Sequence, residues 1–477
     1  MTQRLGWVVL FVVIALTASS CGVISDAFAS GDEEVEVQPE ESPPEQSLPE
    51  GSTNDDEVIS EVPSGDEELD DIIEDAEEEV EESNEPEELL EAPVVTLREI
   101  EGASPEATGH VAYVEAFWTD VAPELDFTYE LVDTSRLFPR SIITEESTCS
   151  FRRIQEPLDA DIAAFNAYVT PCSEGITVVW DDLGLEPDLE QRFPGAGMAM
   201  LIAHEWGHVI QLQRQQFDQS DIIAEQQADC YSGAYAAWAE DRGIEPFTND
   251  EALDFAIIST LETRDAVGSR PDEFGAHGNG FDRVRATQEG FDRGVTFCDG
   301  YDDTPPPITQ TGFTSATDRE NEGNLPFEPA FELLVPAVID YYESLSSESL
   351  QQFVDEPDER ILRSLHAQIG DLAIGSEYAL RYGAALQEAN GDSVSGVGPA
   401  LQRACLLGAF LEETLENGIS DPLTGESAGT LSPGDLDEAI ITLTSSDELL
   451  SNPGVVFEMV AALRVGTLEG LDACALA

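Results

Sequence analysis

The 477-residue chain has no lysine at all; its 20 basic residues are arginines, set against 99 acidic ones. A formal charge of −79 at pH 7 argues against nucleic acid as a partner, because neutralising phosphates takes a basic patch. That charge fits a soluble, salt-tolerant surface instead. Histidine is scarce, with 5 in the whole chain, so accidental histidine spacing seldom makes a metal motif. No Cys-x-x-Cys pair occurs among the 7 cysteines, which argues against a cysteine metal cluster. A long apolar run is missing too. The stretch from Leu5 to Leu16 falls short of the roughly 20 residues that a spanning helix needs.

That run, preceded by Arg4 and followed by Thr17-Ala18-Ser19-Ser20-Cys21-Gly22, has the layout of an export signal. Small residues directly before a cysteine resemble a bacterial lipoprotein cleavage site. This predicts a signal peptide over 1–21 and a lipid anchor at Cys21, on the extracytoplasmic side of the cell membrane. An ordinary secretory signal, giving a secreted protein, is the alternative. Residues 22–95 then read as a disordered acidic tether. No basic residue lies between Arg4 and Arg98, and 27 of the 99 acidic residues fall in 31–90. Such a segment cannot bury enough apolar surface to order itself.

The chemistry sits in Ala203-His204-Glu205-Trp206-Gly207-His208-Val209. On a helix, residues four apart stand on one face, so His204 and His208 can hold one metal ion with Glu205 beside it to move a proton. Two imidazoles and a third protein ligand suit Zn2+ and leave room for water. The third ligand is expected from a second helix that opens near Ser220-Asp221 and returns antiparallel. Glu225 and Asp229 share a face there. Glu225 is assigned to the metal and Asp229 to a ligand histidine N–H, with the reverse assignment open. Ile176 to Trp180 is the best strand candidate, and its edge is a place where a peptide could bind. His110 is placed at the start of a helix running to Trp118.

These residues carry a resemblance. Ile176 to Leu183, the His-Glu-x-x-His helix, Glu225-x-x-Ala228-Asp229-Cys230, and Ala276-His277-Gly278 leading into Phe281-Asp282-Arg283-Val284-Arg285 are similar to the bacterial neutral zinc metallopeptidase family. The resemblance covers about two-fifths of the chain. It implies a zincin-like fold with the metal held by His204, His208 and Glu225. It includes His277 without fixing its role, which is either to pack the following helix or to donate a hydrogen bond to the tetrahedral intermediate. Arg283, Arg285 and Tyr231 are weaker candidates for that work.

The second half repeats the first. The Phe281 to Cys298 pattern of Phe, Val, Ala, Gly, Gly and Cys recurs from Phe457 to Cys474, and Cys230-x-x-Gly233-Ala234 recurs as Cys405-x-x-Gly408-Ala409. Leu253-Asp254 recurs as Leu436-Asp437. At a comparable shift His204 to His208 falls on Ser376 to Leu380, and Glu225 on Ala400, so no ligand survives. The expected fold is α+β and mainly helical: a zincin-like metallopeptidase domain over 96–310, then a degenerate, mostly helical repeat of it over 326–477. With Cys21 set aside, six cysteines allow fifteen pairings. The repeat selects Cys230–Cys298 and Cys405–Cys474, leaving Cys149 for Cys172. The expected function is hydrolysis of peptide bonds in a peptide or protein substrate, with Glu205 as general base. A non-catalytic, zinc-containing binding or scaffold lipoprotein is the alternative.

Overall fold

Ser104 starts the first helix. Its hydroxyl accepts the Ala107 N–H, and Pro105 occupies a position whose N–H would have no helical partner. A computed structural model describes residues 92–474 apart from 152–153, 217–218, 250, 421–426 and 446–453. The export signal, Cys21 and nearly all of the acidic stretch 22–95 lie outside the described residues. Helix α1 (Pro105–Val121) buries Val111, Val114, Phe117 and Trp118 in the core. His110 falls in its second turn, not at its start.

Five strands follow: β1 (Leu137–Pro139), β2 (Thr148–Phe151), β3 (Ile154–Pro157), β4 (Ala167–Cys172) and β5 (Gly175–Trp180). β2 and β3 form one antiparallel pair, and β4 and β5 another, with Ala167 opposite Trp180. β5 also runs parallel to β1, so the order is β1-β5-β4. The expected strand is present, but it is central. β4 pairs along the whole of one edge, and β1 pairs Val178 to Trp180 on the other, so no peptide can add alongside those three residues.

Asp181 ends β5 and turns the chain. Its carboxylate accepts N–H bonds from Leu183, Phe165 and Leu185. Helix α2 (Leu185–Arg192) leads into α3 (Ala196–Arg214), in which every residue from Ala196 to Gln211 is buried. A helix buried all round sits in the middle of its domain, here wrapped by the sheet and by its neighbours. Gln215 closes it in the left-handed conformation. Then come α4 (Asp221–Asp241), α5 (Ala252–Glu262) and α6 (Gly280–Asp299).

The remainder is almost entirely helical: α7 (Ala316–Glu320), α8 (Phe327–Ser344), α9 (Glu359–Gln368), α10 (Leu372–Asn390), α11 (Val397–Asn417), α12 (Asp435–Thr444) and α13 (Val456–Glu469). A two-stranded ribbon, β6 (Ile419–Ser420) and β7 (Ser427–Gly429), lies between α11 and α12. The fold is thus mainly helical with small sheets. None of the helices among the described residues is long and apolar enough to cross a membrane.

Two helix pairs are built alike. A Cβ on Gly233 would stand 1.8 Å from the Thr287 carbonyl oxygen, and one on Gly290 would stand 1.8 Å from that of Cys230, so α4 and α6 touch backbone to backbone. In α11 and α13 the same role falls to Gly408 and Gly466, whose added Cβ would lie 2.1 and 2.0 Å from the Leu463 and Cys405 oxygens. Disulfides Cys230–Cys298 and Cys405–Cys474 tie the two pairs, and Cys149–Cys172 joins β2 to β4. These are the two pairings that the repeat selects and the one it leaves. One hydrophobic core surrounds α3. A second fills the C-terminal half but also takes in Ile257, Leu261, Phe281 and Val284 from α5 and α6, so the halves share it.

Candidate metal centre

α3 supplies His204, Glu205 and His208, and α4 returns antiparallel with Glu225 and Asp229. Gly207 makes the approach close: a Cβ there would lie 2.7 Å from the Ala228 Cα. The segment before α6 adds His277, and α6 adds Arg283. Each of these side chains is buried.

His204 Nε2 lies 3.2 Å from Glu225 Oε2, and His208 Nε2 lies 3.4 Å from Glu225 Oε1. Neither approach is aligned as a hydrogen bond. Both Nε2 atoms and Glu225 Oε2 are buried without a hydrogen-bond partner. Their other ring nitrogens are held: His204 Nδ1 faces Asp229 Oδ1 at 2.8 Å and His208 Nδ1 faces Gln211 Oε1 at 2.9 Å. The Gln211 amide nitrogen donates to the Ala224 carbonyl and to Gln227 Oε1, which fixes which end of that amide meets the histidine. An acceptor at Nδ1 keeps the ring proton there and leaves each Nε2 with a lone pair.

His204, His208 and Glu225 therefore form a buried group that could hold a metal ion. Two neutral imidazole nitrogens and one carboxylate oxygen, otherwise orphaned in the interior, fit a divalent metal ion. Asp229 stands behind His204, not beside the carboxylate of Glu225. Both of its oxygens are also engaged by Arg283, at 2.7 and 2.8 Å, and Arg283 is anchored in turn on Thr263. Such outer support orients the ligand ring and raises its basicity.

His277 joins from the far side. Its Nε2 lies 3.8 Å from Glu225 Oε2 and its Nδ1 lies 3.3 Å from Asp265 Oδ1. Asp265 is itself pinned by the backbone N–H groups of His277 and Gly278 and by Gln310. Arg285 and Tyr231 are not brought to the site. Arg285 holds the Pro307 carbonyl and Gln226, and Tyr231 stacks edge-on to Trp118 in the core with its hydroxyl on Asp299.

The electrostatics favour positive charge between these ligands. Burial pulls the His204 imidazole down, but the Asp229 and Glu225 carboxylates outweigh it and push it up to about 10. Burial likewise opposes His208, and Glu225 above all overrides it to raise that ring. Burial would raise Glu225, yet His277, His208 and His204 hold it well below the ordinary carboxylate range. A divalent cation at the two Nε2 atoms supplies the same charge that protons supply otherwise.

Gln211, Asp265, Arg283 and Thr263 support the site, and sequence reasoning gave none of them that role. Gln211 had a signal, since it stands one turn beyond His208 on the same helix. Asp265 lies in an irregular segment where no periodicity marks it. Among family models, curated proteins and solved structures, nothing matches this chain.

Proposed function

We propose that this chain is a zinc metallopeptidase held outside the cell membrane by a lipid at Cys21. One observation carries the reading: both ligand-histidine Nε2 atoms are buried, converge on Glu225 and make no hydrogen bond, while Glu205 lies buried next to His204 on the same helix. When bound, zinc supplies Lewis acidity, making water a nucleophile near neutral pH and polarising a carbonyl oxygen. Glu205 takes the proton from that water and delivers it to the leaving amine. A structural zinc site has no use for this carboxylate. His277 faces the developing oxyanion and donates from Nε2.

A second reading, a non-catalytic zinc-containing scaffold lipoprotein, draws support from enclosure. His204 is 4 % exposed and Glu205 and His208 are fully buried, so a polypeptide reaches the site only after some part of the wall opens. Glu205→Gln separates the two. The peptidase reading expects zinc content to stay at the wild-type level while cleavage of an unfolded protein substrate falls by about a hundredfold or more, as for loss of a general base. Equal cleavage by wild type and variant, or chelator-insensitive cleavage, would favour the scaffold. Cys21→Ser should move the protein from the membrane to the soluble fraction.

The reading extends to the second half as a zincin-type domain duplicated without its chemistry. α3 and α10 each have 19 residues, and α4 and α11 each have 21. Gln387 donates to the Pro399 carbonyl and to Gln402, as Gln211 does to Ala224 and Gln227. This pairing sets a register one helical turn later than the sequence matching does. His204, Glu205 and His208 then correspond to Leu380, Arg381 and Ala384, and Glu225 to Ala400. No ligand is kept in this register either. In this register the residue corresponding to Ala228 is Arg403, whose guanidinium donates to Gln387 Oε1. In the first half the equivalent oxygen serves His208.

A further inference from the structure

A second group of possible metal ligands lies in the C-terminal half, at Asp371, Asp435 and Glu438, all buried, with ligand atoms within 4.8 Å of one another. It contains no nitrogen or sulfur donor. Asp371 directly precedes α10, Asp435 opens α12, and Glu438 lies one turn further along α12. At the matching places in the first half, before α3 and in the first turn of α5, stand Gly195, Ala252 and Phe255. The helix arrangement therefore does not require three acids here.

The oxygens are only partly occupied. Asp435 accepts from the Ser432 N–H and hydroxyl, and Glu438 Oε2 accepts from the Leu372 N–H at 2.9 Å. Asp371 gives Oδ2 to the Leu325 N–H at 3.0 Å. That leaves Asp371 Oδ1 for the cluster, and this atom is buried without any hydrogen-bond partner in a side chain 5 % exposed. An orphaned carboxylate oxygen among two further carboxyl groups is costly unless a cation meets it. The charges that raise Asp435 and Glu438 are carboxylates, while the Leu325 N–H and then His366 temper Asp371. Without a cation, burial and then the Asp371 charge push Asp435 up to about 8.

We infer that Asp371, Asp435 and Glu438 bind a calcium ion that fastens α10 to α12. Calcium takes oxygen ligands at about 2.3–2.6 Å, so oxygens up to about twice that distance apart can share one ion. Zinc would look for nitrogen or sulfur, and magnesium usually keeps several waters that a buried site excludes. The site shares no residue with His204, His208 or Glu225, so it stands or falls independently of the peptidase reading.

The test is a calcium titration of the full chain by calorimetry, in constant excess magnesium to occupy weak surface carboxylates, with thermal unfolding alongside. Wild type should show one saturable calcium per chain and a melting temperature that climbs with calcium concentration, as mass action requires. In Asp435→Asn/Glu438→Gln that site should weaken by about a hundredfold or more and the melting temperature should stop responding. His204→Ala/His208→Ala should keep the calcium response. The inference is overturned if wild type shows no saturable calcium site, a result independent of how the variant folds. It is overturned equally if the carboxylate variant responds to calcium as wild type does. A variant more stable than wild type in calcium would show instead that the three carboxyls share protons.

Discussion

Asp254 and Asp437 exchange helix caps between the two halves of the molecule. Asp254, third residue of α5, accepts the Gly454 and Phe457 N–H groups at the start of α13, at 2.8 and 2.9 Å. Asp437, third residue of α12, accepts the Gly280 and Phe281 N–H groups at the start of α6, at 3.0 and 2.9 Å. Each half thus satisfies the exposed donors of the other half's last helix, where a negative charge is also favoured by the helix dipole. Arg264 reinforces Asp437 alone, at 3.2 Å.

Removing either carboxylate strands two buried donors. Asp254→Ala and Asp437→Ala are each expected to lose about 1–3 kcal/mol in denaturant unfolding, with one transition retained because the halves share a core. Asparagine at either place should recover part of the loss. A midpoint unchanged by both alanine variants would show that these contacts do not hold the halves together.

The candidate metal ligands were more legible in the sequence than the packing around them. His204, Glu205 and His208 could be placed because helical spacing is local, and Glu225 because a short turn forces the next helix back. Two of the disulfides followed from a repeat, which reports spacing rather than contact, and the third was the pair left over. The pairing of Val178 to Trp180 with β1 was not legible, because it joins residues some forty apart, which no local pattern encodes. The register of the proposed copy in the second half is hard to read for a related reason: apolar, alanine-rich helices match themselves at several offsets. The Gln387 contacts, seen in three dimensions, favour one of them.

Asp181 gives a pH prediction. Burial tends to raise its carboxyl, but N–H bonds from Phe165, Leu183 and Leu185 and the nearby Arg140 hold it below the ordinary value. The unfolded chain therefore takes up the proton first. Stability from this group is complete above the unfolded value of 3.8 and is lost as pH falls through the lower folded value. Asp181→Asn should be about 1–3 kcal/mol less stable than wild type at pH 7, and the gap should close below pH 4. Urea midpoints over that range measure it, and a gap indifferent to pH would contradict it.

The ligand assignment predicts an ordering of metal losses. Glu225→Ala removes a donor oxygen and should empty the site after dialysis. Asp229→Ala leaves the ligands but frees His204 Nδ1 and strands Arg283, so it should weaken binding by about 10–100-fold. Metal analysis and competition with a chromogenic chelator give both numbers. A filled site in Glu225→Ala with an empty one in Asp229→Ala would exchange their roles.

The last prediction concerns metal count. At the positions that the proposed duplication sets against His204, His208 and Glu225 the second half has Leu380, Ala384 and Ala400, none of which offers a donor atom. Arg381, in the place of Glu205, pairs with Glu377 along α10. Arg403, buried in the same layer, already fills the acceptor that a histidine would need. A positive charge where the first half gathers carboxylates would itself repel a cation. The full chain should therefore contain one zinc, and His204→Ala/His208→Ala should contain none while keeping its three disulfides and its helical content. Because α5 and α6 contribute to the second core, the measurement belongs on the whole chain rather than on residues 326–477 alone. Two zinc ions per chain, or one remaining in the double variant, would place a zinc site outside the His204 cluster and undo the account of the second half as a copy without chemistry.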